Sequence, residues 1–111
     1  KVLQKKHPPP DDYVEVENLW VSVTGIKDGK GKNILMECIV PTLPGWEDAG
    51  CNIDTGFPAS IIGQMIQSGY ITKRGSFTPD LVVPHQNFFS ALRKRGMKIL
   101  KEGKDIETKI S

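Results

Sequence analysis

The sequence predicts an α+β domain in which an antiparallel β-hairpin packs with two helices. Apolar and polar residues alternate on both sides of Asp28-Gly29, as they do in two strands joined by a tight turn. Apolar residues then recur at helical spacing in segments 53–71 and 86–95. A short apolar stretch at 97–100 predicts a final strand. This order of strand, strand, helix, helix and strand is typical of the α+β class.

The hairpin alternation also predicts a register. With Asp28 and Gly29 as a two-residue loop, three apolar pairs fall on one face, and we expect that face to be buried. The pairs are Leu19 with Cys38, Val21 with Met36, and Val23 with Ile34. The opposite face carries Trp20, Leu35 and Ile39, which is too much apolar surface for a freely solvated face. We therefore predict that this second face is covered, through self-association of the chain. Coverage by another domain of a longer protein is a competing explanation.

The first helix is predicted from both its start and its stop. Asp54 and Thr55 can accept from exposed backbone N–H groups, and Pro58 suits a first helical turn. Gly69 supplies the stop. The apolar stripe of this helix consists of Ile61, Ile62, Met65 and Ile66.

The second helix is predicted at about 86–95, with Gly96 as its C-terminal stop. Its apolar side carries Phe88, Phe89 and Leu92. The chain then divides into three parts. Residues 1–10 are interpreted as the end of a preceding element or a linker, 11–100 as the domain, and 101–111 as a polar tail. Because the chain does not begin with methionine, we expect it to belong to a longer protein.

Composition excludes several classes of function. The chain has 111 residues, 38% of them apolar and 25% charged, with a formal net charge of +2, which fits one soluble domain. No apolar run approaches the length of a membrane span, and the basic residues are scattered, so neither membrane nor nucleic acid is an expected partner. Cys38 fits a small buried hydrophobe, and with Cys51 as the only other cysteine a reduced, cytoplasmic setting is expected.

Most catalytic motifs are missing from the sequence. The histidines and cysteines lack the spacing of metal ligands, so no metal site is predicted. One motif has two incompatible interpretations. Asp54-Thr55-Gly56 could be the catalytic motif of a retroviral-type aspartic protease, in which two chains each supply one aspartate. Those proteases resemble one another in a hydrophobic strand directly before the aspartate, whereas Gly50, Cys51 and Asn52 precede it in this chain.

The alternative interpretation is a family resemblance, which covers roughly residues 8–100. Its motifs run in order through 55–66, 69–71, Gly75, Pro79, Val83-Pro84, Phe89, Leu92 and 95–97. In this order and spacing the chain resembles the C-terminal part of the saccharopine dehydrogenase-like oxidoreductases. The hairpin also resembles the strand pair that precedes this stretch in the family.

The resemblance implies a Rossmann-type dehydrogenase with an N-terminal domain that binds NAD or NADP. This chain would then be part of the C-terminal catalytic domain, which binds substrate and builds a homodimer. Family members act on C–N bonds of amino acids or polyamine precursors. Thr55 and Gly56 match the family's helix-opening pair and are the predicted substrate-binding residues, although Thr55 serving only as a helix cap is an equal alternative. No general acid or base can be assigned from the resemblance.

Three functions therefore remain from the sequence. The first is the substrate domain of an oxidoreductase, and the second is the aspartic protease. The third is a non-catalytic dimerisation module. No Rossmann fingerprint occurs in the sequence, so we expect these residues alone to be inactive as an oxidoreductase.

Overall fold

The fold was analysed in a computed structural model, which describes residues 13–47 and 52–105. It is an α+β fold, as predicted, with an antiparallel sheet and helices on one of its faces. The predicted linker at 1–10 and the last six residues of the predicted tail lie outside the described residues. In chain order the elements are β1 (Val16–Lys27), β2 (Lys30–Pro41), α1 (Ile53–Gln67), α2 (Pro79–Val82), α3 (His85–Arg93), β3 (Lys98–Lys101) and β4 (Lys104–Asp105).

The hairpin forms in the predicted register. β1 pairs with β2 along its whole length, and the three predicted apolar pairs are all present. Asp28 and Gly29 form the loop, with φ of 54° and 72° respectively, as a type I′ turn requires. The sheet continues from β2 to β3 and then to β4, in the order β1-β2-β3-β4, with every neighbouring pair antiparallel.

Helix α1 begins earlier than the sequence suggests. Because it starts at Ile53, Pro58 lies in its second turn rather than its first. The ring nitrogen of Pro58 carries no hydrogen, so α1 lacks the bond that would normally reach the carbonyl of Asp54. The predicted stop is confirmed, since Gly69 has φ of 81° and its N–H donates to the carbonyl of Ile66 at 3.2 Å.

The C-terminal half contains two elements that sequence reasoning did not predict. The short helix α2 lies within the predicted irregular connection. The predicted polar tail also begins with structure, because Glu102 and Gly103 form a second tight turn, with φ of 52° and 70°, that leads into β4. The second predicted helix is confirmed as α3, and Gly96 follows it with φ of 91°.

The core lies between the sheet and the helices. Strand β2 contributes Val40, which is completely buried, and β3 contributes Ile99 beside Cys38. Helix α3 packs against α1 and against β3. The buried apolar side chains are Val40, Ile53, Ile61, Met65, Ile71, Leu92, Met97 and Ile99.

The expected burial of β1 is wrong. Leu19, Val21 and Val23 lie on the face that bears the helices, but they are 43%, 60% and 58% exposed. The helices cover β2 and the four-residue strand β3, so β1 extends past them as an edge strand. An aspartate at position 21 would therefore remain in contact with water and would not unfold the domain by stranding a buried charge.

The opposite face of the sheet is also open on β1. Trp20 is 66% exposed, whereas Leu35 and Ile39 on β2 are half-buried. Self-association through this face stays a prediction. None of the helices in the described ranges combines the length and apolar character that crossing a bilayer demands.

Two isoleucines of α1 test this description of the core. Ile61 is 2% exposed and Ile66 is 58% exposed, so replacing each by alanine changes helix propensity equally but removes very different contacts. We expect Ile61→Ala to lower the free energy of unfolding by about 2–4 kcal/mol. Ile66→Ala should change it by less than about 1 kcal/mol. Urea denaturation measures both, and equal losses would contradict the placement of α1.

Candidate functional site

A cavity of about 390 Å³ opens between the helices and the part of the sheet nearest β1. Its walls are almost wholly apolar. The sheet lines it from below, and α1 and α3 line it from above. The apolar lining includes Leu19, Val21, Met36, Phe89, Leu92 and Ile99.

Two acidic side chains lie close together beside this cavity, and one of them, Asp54, lines it. The hairpin register puts Glu17 opposite Val40, on the same face as Leu19. The first turn of α1 brings Asp54 to the cavity wall, where its negative charge acts on the carboxyl group of Glu17. An apolar cavity therefore has a carboxyl pair at its edge.

The surroundings of Glu17 perturb its titration. Desolvation raises the pKa of the Glu17 carboxyl above its ordinary value of 4.5, and the negative charge of Asp54 raises it further. The hydrogen bond with Asp54 and the charge of Glu15 act in the same direction. Glu17 therefore holds its proton more strongly than an isolated glutamate, and the two neighbouring carboxylates attract a cation once that proton leaves.

Cys38 lines the same cavity and is half-buried as a free thiol. Burial raises the pKa of this thiol, and the charges of Asp54 and Glu17 raise it further. Since the thiolate is the nucleophilic form, these surroundings suppress reactivity instead of activating it. Cys38 therefore fits a wall residue of the cavity better than a catalytic nucleophile.

The predicted substrate-binding residues lie beside this site but do not line it. Thr55 and Gly56 are exposed in the first turn of α1, and the hydroxyl of Thr55 donates to the carboxylate of Asp54 at 3.0 Å. Thr55 is not the helix cap, since that position is held by Asn52. The wall of the cavity is formed instead by Asp54 and Pro58. Contact of Thr55 and Gly56 with a substrate remains a prediction.

The segment that suggested an aspartic protease, Asp54 to Gly56, is helical. Asp54 is the second residue of α1, with Thr55 and Gly56 continuing the same turn. The resemblance to retroviral-type proteases calls for a hydrophobic strand directly before the aspartate, and the described residue at position 52 belongs to a helical turn. The carboxyl partner of Asp54 is also Glu17 of the same chain, so a carboxyl pair forms without a second copy.

Metal ligation has no support in the described part of the chain. Within residues 13–47 and 52–105, no group of three or more histidine, cysteine, aspartate or glutamate side chains is close enough to hold an ion. Asp54 and Cys38 line the cavity and Glu17 lies near Asp54, but the three do not form such a group.

Sequence reasoning missed Glu17, although a signal for it was present. The alternation that pairs Leu19, Val21 and Val23 continues to position 17, where it places a carboxylate on the predicted apolar face. A charged residue on such a face calls for a partner. The partner, Asp54, belongs to a helix whose position on the sheet could not be inferred from spacing.

Comparison with known proteins adds no assignment to this geometry. No family model matches the sequence, and no solved structure matches the chain.

The thiol provides a test of the site's electrostatics. In a Cys51→Ser background, which leaves Cys38 as the only thiol, Asp54→Asn should lower the pKa of Cys38 because it removes a neighbouring negative charge. The rate of alkylation by iodoacetamide, measured from pH 7 to 10, should then rise at each pH below the plateau. Asp80→Asn is the matched control, since Asp80 also lies in the first turn of a helix but outside the cavity. An alkylation profile unchanged by Asp54→Asn would contradict the placement of Asp54 beside Cys38.

Proposed function

We propose that this chain binds an amine with an alkyl body in the apolar cavity. We propose further that it does so as the substrate domain of an oxidoreductase acting on C–N bonds of amino acids or polyamine precursors. The observation that supports this is the Glu17–Asp54 carboxyl pair at the edge of an apolar cavity. A protonated amine would neutralise the pair, and its alkyl chain would occupy the cavity.

The volume of the cavity and the chemistry of its walls suit such a ligand. The cavity of about 390 Å³ falls within the range of roughly 300–1,000 Å³ that is usual for small-molecule sites. Its walls offer methylene and aromatic contacts from Leu19, Met36 and Phe89, and few polar groups apart from the acids. Polyamine precursors combine methylene chains with ammonium groups, so they suit these surroundings better than an amino acid with several carboxylates.

The dinucleotide does not fit the described residues. A Rossmann site needs parallel strands and a glycine-rich turn from a strand into a helix, whereas this sheet is antiparallel. Gly29 and Gly31 belong to the hairpin tip. The proposal therefore assigns amine binding to this chain and NAD or NADP to another domain. We expect the chain alone to show no turnover of amines with either dinucleotide.

A non-catalytic dimerisation module is the second candidate. It is favoured by one observation, the long apolar edge strand β1. The two candidates differ in what happens at the cavity. A module of that kind would associate without any requirement for amines, whereas the proposed substrate domain binds them.

Isothermal titration with diamines tests the proposal. We expect 1,6-diaminohexane to bind, and 1,6-hexanediol, which has the same chain without charge, to bind at least about tenfold more weakly. Binding should release protons, because a bound ammonium group lowers the pKa of Glu17. Affinity should accordingly fall as the pH is lowered through the raised pKa of Glu17. Titrations in two buffers of different ionisation enthalpy measure the proton release.

Variants locate the binding at the carboxyl pair. Glu17→Gln and Asp54→Asn should each weaken diamine binding by roughly tenfold or more, since each removes a charge that the ammonium group would contact. Asp80→Asn should leave it unchanged, because Asp80 lies outside the cavity. Equal binding by the diamine and the diol, or binding that both site variants retain, would overturn the proposal.

A further inference from the structure

Lysines that are far apart in sequence meet on one face of the sheet. The pairing of β1 with β2 sets Lys27 opposite Lys30. The pairing of β3 with β4 sets Lys101 opposite Lys104, and Lys101 also pairs with Met36 of β2. Because paired residues share a face and sides alternate along a strand, these side chains lie on the face that carries the cavity. The set, named the lysine face, consists of Lys27, Lys30, Lys32, Lys101 and Lys104.

The positive charges of the lysine face are not paired with acids in the described part of the chain. All five lysines are exposed, and none of them forms an ion pair within residues 13–47 and 52–105. Asp105 is paired with Arg93 instead. The carboxylate of Glu102 accepts from the N–H of Leu35 at 2.7 Å. The five lysines also outnumber Asp28 and Glu102, the acids of the two turns beside them, so the face stays positive.

Two pairs within the lysine face set like charges against each other. Lys27 faces Lys30 across the hairpin, and Lys101 faces Lys104 across the second tight turn. Facing side chains in antiparallel strands start about 5 Å apart, and like charges in that position destabilise a strand pair. An anion held between two such lysines would offset the repulsion. The lysine face is therefore complementary to a partner that carries closely spaced negative charges.

We propose that the lysine face binds the phosphate backbone of a nucleic-acid duplex without reading its sequence. Six residues of β2 separate Lys30 from Met36, the partner of Lys101, so the face is about 20 Å long. A duplex carries one negative charge per 1.7 Å of its axis, which gives about twelve phosphates over that length. Lysines on flexible stems contact phosphates as point charges, and such contacts carry no sequence information.

The composition of the face and its surroundings favour nucleic acid over other polyanions. An acidic polypeptide presents carboxylates, which are recognised best by the planar fork of arginine, whereas the five cations here are all lysines. A bilayer is flat, but the helices stand on the same face of the sheet, beside the lysines. Since a helix is about 10 Å across, a membrane resting on the helices would be held away from the lysines. A narrow polymer can lie beside the helices instead.

A duplex also fits better than a single strand. Proteins that bind single strands combine positive charge with aromatic side chains on which the bases stack. The described strand residues between the lysines on this face are aliphatic, namely Val23 and Ile34. Trp20 lies on the opposite face, beside Glu37. The lysine face therefore offers contacts to phosphates but no stacking surface from its strands.

The lysine face is separate from the proposed amine site. Glu17 and Lys27 are ten residues apart on β1, which corresponds to about 33 Å along the strand. The acids and the lysines thus lie toward opposite ends of the sheet. Sequence alone did not indicate the lysine face, because the segments 27–32 and 101–104 are distant in the chain and only strand pairing unites them.

Fluorescence anisotropy with a labelled 20-base-pair DNA duplex tests the proposal on the 111-residue chain. Titrations from 50 to 200 mM salt should give a slope of log K against log salt of about −4, since each phosphate contact contributes roughly −0.9. Lys27→Gln combined with Lys30→Gln removes two contacts. We expect this pair of changes to raise the dissociation constant at 100 mM salt by at least about tenfold and to make the slope less steep by about two.

A second pair and a matched control locate the contact. Lys101→Gln combined with Lys104→Gln should weaken binding as much as the changes at the hairpin tip do. Lys73→Gln combined with Lys98→Gln removes the same net charge elsewhere and should leave binding nearly unchanged. Lys98 pairs with Ile39 on the opposite face, and Lys73 lies in the loop after α1. Urea denaturation of each variant checks the fold, which the loss of facing like charges should not weaken.

Several results would overturn the proposal. They are no binding of the duplex at 50 mM salt, equal losses from the control pair, or a loss from only one of the two pairs on the lysine face. Tighter binding to single-stranded DNA, to polyglutamate or to phosphatidylserine vesicles would overturn it in favour of that partner. The lysine variants should bind 1,6-diaminohexane as the parent chain does, so failure here would not bear on the amine site.

Discussion

The type I′ turn at Asp28-Gly29 is the constraint on which the rest of the structure depends. Its two left-handed residues fix a two-residue loop, and that loop fixes which side chains of β1 and β2 share a face. A slip of one residue would send every side chain of β1 to the other face of the sheet. Glu17 would then leave the face that carries Asp54, and Trp20 would replace the valines beside Met36. The cavity and its carboxyl pair therefore both follow from the geometry of one turn.

The open cavity results from a mismatch in size between the two layers. Strands β1 and β2 have 12 residues each, but β3 has four, and the helices pack where β3 supports them. Leu92 and Ile99 are therefore buried, whereas Val21 on the same face is mostly exposed. Apolar surface is left where the helices end, with the acidic residues beside it. The fold thus combines an unfilled apolar space and an acid pair in one place without a dedicated loop.

Features of the fold that depend on residues close in sequence could be predicted. Features that depend on how the helices pack on the sheet could not. The strand register and the helix stops at Gly69 and Gly96 depend on residues close in sequence, and these predictions were confirmed. Alternation alone could not show that β1 would lie beyond the helices, so its predicted burial was wrong. The Glu17–Asp54 pair could not be inferred either, because it requires the position of α1 on the sheet. The family resemblance concerns a whole protein and stays a prediction.

The raised pKa of Glu17 has a consequence for stability that bears on the proposed amine site. A carboxyl group whose pKa is higher in the folded state than in the unfolded state stabilises the fold less as the pH rises. For Glu17 this cost grows as the pH passes from 4.5 through the raised pKa, and it is present in full above that value. A bound cation would relieve this cost at the pair, in agreement with the proposed amine site.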